Sequence, residues 1–476
     1  MKSKARKSCP NCGRLQAKLD AQEARLKALE ATVSRLQEQL AAAKKNSATS
    51  SKPPSSDLVK PKPSETPDGE KRSIGGQPGH DMHAREPFPP EQVTFFATHK
   101  LDGCPNCGGT LRLNPTFPRV VQHVDIETTP LTIEQHTCPE YWCDCCGKSC
   151  WAPLPLKIEH GGLVGPNLTA LIAFMKGGCH ASYSTIRTFL RDCVGVTLAR
   201  STLANTINKV SEALDGPYDE LLRMLPVEPV LNIDETGHKC NKELWWTWCL
   251  RADLYTIFKI DPHRSADVLM DVLGRDFEGT IGCDYFSAYR RFMRECDIRV
   301  QFCLAHLIRD VKFLTTLPDA ATKAYGERLR LALKALFGVI HRRDELSAVA
   351  FEQQLKAARD AVLNAGMTDV PTTRHAENMA KRFRKHGAAF FTFVTTPDVA
   401  PTNNSAEQAI RFVVIDRHIT QGTRSEAGRR WSERIGTTIA TCVGQCRSVY
   451  GYLKECVGNL FAGRPSPSLL PSKPLA

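Results

Sequence analysis

The sequence lacks any apolar run long enough to cross a membrane, and its basic start, Met1 to Lys7, leads into cysteines and a polar helix rather than into the apolar core of a signal peptide. Acidic residues are also in deficit, because 51 Asp and Glu face 63 Lys and Arg, a formal charge of +12. These absences predict a cytoplasmic protein with an anionic partner. Nucleic acid is the first candidate and a membrane surface the second.

A disulfide framework is not expected in a reducing compartment, although the chain has 19 cysteines among its 476 residues. Four of them form two Cys-x-x-Cys pairs, Cys104 with Cys107 and Cys143 with Cys146. Each pair can place two thiolates on one tight turn, so the four together predict a tetrahedral zinc site.

The segment between these pairs is rich in β-forming residues at 120–126 and 131–133, which predicts a small zinc ribbon. Such a ribbon either holds a small domain together or presents basic residues to DNA, and both roles stay open. A further pair, Cys9 and Cys12, has no nearby partner pair, and its role also stays open. Alternative zinc ligands lie close by: Cys138, Cys145, Cys150 and His136.

The N-terminal region follows a heptad pattern that predicts a coiled-coil helix. Its seam positions are Leu15, Leu19, Leu26, Leu29, Val33, Leu36 and Leu40. Polar residues fill the other positions, which favours self-association over packing on the same chain.

Residues 46–90 are rich in Ser, Pro, Lys and Gly and predict a basic disordered linker. This linker serves either as a spacer or as an arm that tracks the phosphate backbone.

Residues 168–225 have a helical pattern, and part of it resembles a helix-turn-helix. Tyr183–Val194 predicts a first helix, Gly195 a turn, and Ser201–Val210 a second helix capped by Ser201. Because most helical hairpins bind no DNA, groove binding and a plain structural hairpin remain equally open.

After Pro226 the pattern changes to strands, which we predict at 229–236, 243–251, 254–260 and 279–284, with a helix at 265–273. Asp234 and Asp284 each end an apolar run. If the first and fourth strands are neighbours, these carboxylates converge at one end of the sheet and can share a divalent cation. Oxygen ligands select Mg²⁺ or Mn²⁺ over zinc. For either aspartate alone, a turn role is the alternative.

A third carboxylate is expected from the helix that begins near Asn403 or Asn404. Glu407 lies in its first turn, and Arg411 follows four residues later on the same face. The alternative is a capping box, in which the Glu407 carboxylate would only accept a hydrogen bond from the amide of the cap residue.

The motifs of this chain resemble those of the bacterial insertion-sequence-sixty-six transposases. They are Asn232–Thr236, Cys283–Tyr289, Cys303–His306 and Asn403–Arg411, with the Ser-Lys-Pro-Pro-Ser-Ser-Asp and Gly-Gly-Gln-Pro-Gly-His segments and the paired cysteines upstream. The resemblance implies a ribonuclease-H-like core and an Asp-Asp-Glu triad of Asp234, Asp284 and Glu407 that holds two Mg²⁺ or Mn²⁺ ions. It also implies that residues 318–393 are a helical insertion and that Cys303 and His306 form a family signature.

The resemblance implies an activity on DNA: cleavage at the terminal inverted repeats of an insertion sequence, followed by attack of the freed 3′ hydroxyl on target DNA. Small accessory proteins of the same element are possible partners. Asn403 and Asn404 belong to the signature. After Asp416 the sequence departs from the pattern of the family. DNA contact by the basic residues is therefore a hypothesis, and a solvated loop is its alternative. These residues are Arg411, Arg417, Arg424, Arg429 and Arg430.

The predicted fold class is a multidomain α/β protein. We predict that it is a bacterial, nucleoid-associated protein that acts on double-stranded DNA. The coiled coil is expected to hold it in a homodimer or a larger assembly. Its predicted parts are 1–45 (Cys-x-x-Cys start and coiled coil), 46–90 (linker), 91–155 (zinc-ribbon-like), 156–225 (helix-turn-helix-like), 226–317 (first part of the core), 318–395 (helical insertion), 396–460 (completion of the core) and 461–476 (tail). Two alternatives are a DNA-binding regulator without enzymatic activity and a ribonuclease-H-like junction nuclease.

Overall fold

The structure is a computed structural model, and it describes residues 10–45, 89–92, 131–138, 141–143, 145–146, 148–150 and 152–470. The predicted linker lies almost entirely outside the described residues. The same is true of Cys9, Cys104, Cys107 and the predicted β segment at 120–126.

The predicted N-terminal helix is confirmed. Helix α1 spans Pro10–Ala43, 34 residues in all. Its heptad seam is exposed, from 51% at Leu19 to 62% at Leu15. Near its C-terminal end Ala41 packs against the core, and the Lys45 ammonium lies 3.6 Å from the centre of the Phe313 ring. Self-association along the exposed seam stays a prediction.

The second cysteine pair lies in a short hairpin. Strand β1 (Tyr141–Cys143) pairs antiparallel with β2 (Lys148–Cys150), so Cys143 ends the first strand and Cys146 lies in the turn. The zinc site stays a prediction, because its first pair lies outside the described residues. The strand expected at 131–133 is wrong, since these residues belong to no strand of the described part.

A helical layer follows, made of α2 (Leu156–Gly161), α3 (Pro166–Gly177), α4 (Tyr183–Phe189), α5 (Arg200–Ala213) and α6 (Asp215–Met224). A π-helical turn, Leu190–Val194, ends at Gly195, whose φ of 78° is in the left-handed region that favours glycine. The predicted helix, glycine turn and helix are therefore present. The predicted cap is wrong: α5 begins at Arg200 after Ala199, without a side-chain cap, and Ser201 lies inside the helix.

The described residues also contain a five-stranded mixed sheet in the order β5-β4-β3-β6-β7. Its strands are β3 (Val230–Cys240), β4 (Glu243–Arg251), β5 (Thr256–Asp261), β6 (Thr280–Cys283) and β7 (Arg299–Phe302), and helix α7 (Ala266–Leu273) precedes β6. Strands β3, β4 and β5 form an antiparallel meander, whereas β6 pairs parallel with β3 and β7 pairs parallel with β6. The prediction that the first and fourth strands are neighbours is confirmed.

Strand β3 is longer than predicted, and Asp234 does not end it. The strand continues to Cys240 because β4 pairs with it along its whole length through a tight turn at Asn241 and Lys242, both with positive φ. The parallel partner β6 stops earlier, with Asn232 opposite Gly282 as the last pair. Asp234 therefore lies just beyond the parallel part of the sheet, in the middle of a hairpin strand.

Helices cover both faces of the sheet. Helix α13 (Asn404–Thr420) packs on β3 and β4, and α14 (Glu426–Gly444) packs on β5. The Phe258 amide of β5 donates to Thr437 Oγ1 of α14 at 3.0 Å. Helix α8 (Ser287–Cys296) packs on the opposite face, where Tyr289 meets Trp248 edge to face. Helix α15 (Val449–Phe461) joins α2, α3 and α5, so the helical layer and the C-terminal helices share one core.

The segment predicted as a helical insertion is helical, and it lies beyond α9 (Leu304–Leu314). It contains α10 (Ala320–His341), α11 (Ala348–Met367) and α12 (Arg374–His386). The chain then returns along β7, where the Gln301 side chain donates to the Phe390 carbonyl at 2.9 Å and accepts from the Phe393 amide at 3.0 Å. These contacts cover an edge strand that would otherwise expose hydrogen-bonding groups.

Within the described part of the chain, no helix has both the length and the apolar character that a membrane crossing requires.

Candidate active site

Asp234 and Asp284 lie at the same edge of two adjacent parallel strands, as predicted. Asp284 directly follows β6, and its Oδ1 accepts a hydrogen bond from the Phe286 amide at 2.8 Å. Asp234 Oδ1 accepts from the Glu235 amide at 2.9 Å. Each carboxylate is therefore held by local backbone, which restricts its rotamer and leaves its second oxygen available.

The electrostatics of these two carboxyl groups differ from those of ordinary aspartates. Burial raises the pKa of Asp234 well above its usual value, and the charges of Glu235, Asp284 and Glu407 raise that pKa further. Burial, followed by the charge of Glu235, raises the pKa of Asp284 to about 6. The charges of Asp284 and Glu407 repel that of Asp234 without a cation, and a divalent cation would reverse that cost.

Glu407 approaches the same region from α13, in the first turn of that helix. The capping-box interpretation is wrong, because the amide of the cap residue Asn403 donates to Cys303 Sγ at 3.2 Å instead of to a carboxylate. The carboxylate of Glu407 points towards α9, where its Oε1 lies 3.6 Å from His306 Nδ1 and its Oε2 lies 3.8 Å from Arg309 Nη2.

Asn403 ties the Glu407 helix to the sheet instead of capping it. Its Nδ2 donates to the Ile233 carbonyl at 2.7 Å, and its Oδ1 accepts from Asn232 Nδ2 at 3.0 Å. Gly282 leaves room for this pair, because a Cβ at that position would lie 2.5 Å from Asn232 Nδ2. The interaction connects the residue before Asp234 with the fourth residue before Glu407, so it sets the separation of the two acids.

We expect Asn403→Ala to lower the free energy of unfolding by about 2 to 3 kcal/mol, because it leaves the buried Ile233 carbonyl and the Asn232 amide without partners. Urea unfolding followed by circular dichroism measures this. The matched control is Asn404→Ala, since Asn404 is exposed on the first turn of α13 and should change stability by about 0.5 kcal/mol or less. Equal effects of the two substitutions would contradict the assigned role.

Cys303, His306 and Glu407 form a cluster that the sequence did not predict as a unit. In the described residues, these are the side chains whose ligand atoms come within 4.8 Å of one another in a group of three that could hold a metal ion. His306 Nδ1 and Glu407 Oε1 are both buried, and each lacks a hydrogen-bond partner among the described residues. Two unpartnered buried atoms that face each other at 3.6 Å suit a bridging cation or water.

The sequence left the role of the Cys303 and His306 pair open, because two ligands are too few for zinc. Glu407 is the third donor, and it lies on α13, 104 residues after Cys303 (407 − 303). Arg309 was missed altogether. A signal was present: Cys303, His306 and Arg309 are spaced three apart, which places them on one face of a helix.

Glu235 lies on the opposite face of β3, as its position next to Asp234 in an extended strand requires. Its carboxylate is 1% exposed and accepts from Arg264 Nε at 2.8 Å and Nη2 at 2.6 Å. The Tyr289 hydroxyl donates to its other oxygen. Glu235 is thus a buried, neutralised charge beneath the two aspartates and not a third ligand on their face.

The predicted DNA-contacting arginines differ in their surroundings. Arg411, Arg424 and Arg430 are exposed. The guanidinium of Arg429 lies 4.8 Å from the centre of the Trp245 ring. Arg417 instead donates to Thr236 Oγ1 at 3.1 Å and to the Gly237 carbonyl, so it joins α13 to β3. The structure gives Arg417 a structural contact that the sequence did not predict, and DNA contact by the others stays a prediction.

Comparison with known proteins identifies the family of this chain. Residues 161–430, more than half of the chain, match the family described as the Transposase IS66 family. The chain belongs to that family. The matched range contains the mixed sheet, both aspartates and Glu407, so the recognition made from the sequence motifs is confirmed.

Two further matches include residues outside the IS66 range. Residues 8–86 match a family of unknown function (DUF6444). The chain is also similar to the uncharacterized protein y4hP of Sinorhizobium fredii (strain NBRC 101917 / NGR234), with 24% identity over 383 residues that cover 71% of this chain and 67% of that protein. Membership of the IS66 family implies a transposase, an enzyme that acts on DNA.

Proposed function

We propose that this IS66 family member cleaves the terminal inverted repeats of an insertion sequence and joins the freed 3′ ends to target DNA, with Asp234, Asp284 and Glu407 as its catalytic carboxylates. The observation that carries the proposal is the electrostatic influence of the other two groups on Asp234, since the charges of Asp284 and Glu407 both raise its pKa although the three lie far apart in sequence. Perturbed, clustered carboxylates mark sites that bind cations or transfer protons.

The core is proposed to be ribonuclease-H-like. A three-stranded antiparallel meander extended by two parallel strands, with acids at the edge of the parallel part and a third acid on a covering helix, supports this assignment. The domain boundaries predicted at 90, 155, 225, 317, 395 and 460 are retained as a proposal. The insertion between α9 and α13 explains the 123 residues that separate Asp284 from Glu407 (407 − 284).

The carboxylates fit Mg²⁺ or Mn²⁺, which we propose as the cofactor of the reaction, with two ions as the full complement. Two half-buried aspartates and the unpartnered Oε1 of Glu407 are a hard-oxygen donor set. When bound, such ions polarise the phosphate and lower the pKa of water. Asp234 and Asp284 hold the donors at the sheet edge, His306 and Arg309 orient Glu407 from α9, and Asn403 holds α13 at its distance from β3.

The other predicted functions of the chain are proposals of the same kind. The exposed leucine seam of α1 suits pairing of two protomers, which would hold two DNA ends together. Zinc at Cys104, Cys107, Cys143 and Cys146 would stabilise the upstream ribbon. Exposed polar residues on α5, Arg200, Asn205 and Asn208, suit contacts to DNA. Accessory proteins of the same element remain possible partners.

The proposal is tested on the DNA that flanks the gene, where terminal inverted repeats can be read directly. We expect the purified protein to bind a duplex with such a repeat, to nick it with Mg²⁺ and to join the 3′ end to a plasmid. Binding without nicking would instead identify a regulator. Cutting of branched junctions without joining would identify a junction nuclease.

A pH effect follows from the raised pKa of Asp284. In the absence of Mg²⁺ and Mn²⁺, its folded-state pKa of about 6 exceeds the unfolded value of about 3.9, so the native state binds more protons between these values. Stability contributed by this group is therefore present below about pH 4, and it is lost as the pH rises to about 6.

We expect Asp284→Asn to raise the free energy of unfolding at pH 7 by about 1 to 2 kcal/mol without divalent cations, and to lose the stabilisation by Mn²⁺ that we expect of the native protein. Thermal unfolding from pH 4 to pH 8, with and without Mn²⁺, measures both effects. Asp276→Asn is the control, because Asp276 is exposed in a loop away from the acids. An Asp284→Asn protein that is less stable than the native protein at pH 7 would contradict the assignment.

A further inference from the structure

A cavity of about 200 Å³ lies beside the active site, on the same face of β3 as Asp234. Side chains of even-numbered β3 residues share this face, so Asp234 and His238 lie on one side of the strand. Four residues of extended strand separate their backbones by about 13 Å. Residues of α3, α4, α13 and α14 close the cavity on its other sides.

Two residues that line the cavity each have a buried polar atom without a protein partner among the described residues. His238 and Thr247 are 4% and 1% exposed, and His238 Nδ1 and Thr247 Oγ1 are buried without a hydrogen-bond partner among the described residues. The other ring nitrogen of His238 is bonded to Thr423 Oγ1 at 2.9 Å, which holds the imidazole in place. Buried polar atoms without partners are rare in folded proteins, and here they belong to two residues that line one cavity.

Aromatic side chains form part of the remaining wall, which also has charged residues. Phe412, Trp431 and Tyr183 line the cavity, and Lys176 and Arg424 bring positive charge to it. Arg424 is exposed, so the cavity opens to solvent on its side.

The shape and charge of the cavity favour one class of ligand. Its volume is below the range of sites for drug-sized molecules and suits one flat ring system. The carboxylate of Asp416 also lines it and would repel a phosphate from the interior, although it is paired with His180 at 3.1 Å. Burial lowers the pKa of His238 to about 4, so a neutral imidazole offers one hydrogen bond and no positive charge at neutral pH. A heterocyclic base inside, with its phosphate at the basic edge, satisfies all of these features.

We propose that this cavity receives the base of an unpaired nucleotide of DNA bound at the active site, with His238 Nδ1 and Thr247 Oγ1 hydrogen-bonded to the edge of the base. The identity of the DNA as an element end rests on the proposed function, whereas the binding of a base does not. The distance of about 13 Å corresponds to about four base pairs of duplex, so the nucleotide lies within about four positions of the cleaved phosphate. Enzymes that do chemistry on a base of duplex DNA extrude its nucleotide into a pocket in this way, although unstacking and unpairing cost free energy.

The first experiment measures binding of the four 2′-deoxynucleoside 5′-monophosphates, and of inorganic phosphate, to the full-length protein without divalent cations. We expect at least one nucleotide to bind to the native protein and not to be displaced by phosphate. The same nucleotide should bind about fivefold more weakly to Thr247→Val. The control is Thr280→Val, which removes another buried, unpartnered hydroxyl, on β6 and away from the cavity. Unchanged binding to Thr247→Val, absence of nucleotide binding, or displacement by phosphate would overturn the proposal.

The second experiment uses end duplexes with a single mismatch at successive positions around the cleavage point. A mismatch removes part of the free-energy cost of unpairing the nucleotide. We therefore expect the duplex to bind about tenfold more tightly when the mismatch is at one position, within about four nucleotides of the cleaved phosphate. This increase in affinity should be smaller for Thr247→Val than for Thr280→Val. Tight binding of the duplex with no such position would overturn the inference and leave the proposed function intact. If no end duplex binds, the proposed function fails, and the mononucleotide experiment still decides the role of the cavity.

Discussion

Asp234→Asn is expected to reduce Mg²⁺-dependent cleavage of an element end by about 10³-fold or more while leaving binding of that end within about twofold. The amide cannot supply the negative charge that a cation shared by the three acids requires. A loss of several kcal/mol of transition-state stabilisation corresponds to at least this factor. Gel-shift and nicking assays on the same labelled duplex separate the two effects.

The control for this experiment is Asp261→Asn. Asp261 ends an apolar strand, β5, and its Oδ1 accepts from the His263 amide at 2.8 Å in an ordinary turn. It therefore has the role that was the alternative for Asp234, and its substitution should leave cleavage unchanged. Retained cleavage by Asp234→Asn would remove Asp234 from the catalytic site. Lost duplex binding would show that the substitution acts on folding or on DNA contact.

Arg264→Ala is expected to have the largest effect on stability, lowering the free energy of unfolding by about 3 kcal/mol. It leaves the buried Glu235 carboxylate with only the Tyr289 hydroxyl as a charge-stabilising partner. Breaking a buried ion pair costs about 3 to 5 kcal/mol, and the partial exposure of Arg264, 34%, favours the lower end. The guanidinium also lies 3.9 Å from the centre of the Phe286 ring, a contact that is lost with it.

Two variants make this result specific. Arg291→Ala removes an exposed arginine that pairs with Asp267 and Glu295, and it should cost about 1 kcal/mol or less. The double variant Glu235→Gln with Arg264→Met removes both charges and should recover most of the loss, since no ion is then left buried alone. If Arg264→Ala and Arg291→Ala destabilise the protein equally in chemical unfolding, the buried pair does not contribute as described.

Periodicity and turn chemistry predicted most of the local structure. The heptad of α1, the strand Glu243–Arg251 and the glycine turn at Gly195 are local patterns, and the structure contains all three. The errors occur where distant residues decide. Asp234 does not end its strand because β4 extends the ladder to Cys240. Asn403 does not use its side chain to cap α13, because a carbonyl of β3 and an amide 171 residues away take up that side chain.

The sequence by itself determined the family, the neighbouring aspartates and the helix that contains Glu407, because motif order and hydrophobic period are written locally along the chain. Only the tertiary structure decided that Cys303 and His306 share a cluster with Glu407, that Arg264 neutralises Glu235, and that His238 and Thr247 line a cavity near Asp234. These relations join residues of different elements. Their distances follow from how helices pack on the sheet, which no local pattern of residues encodes.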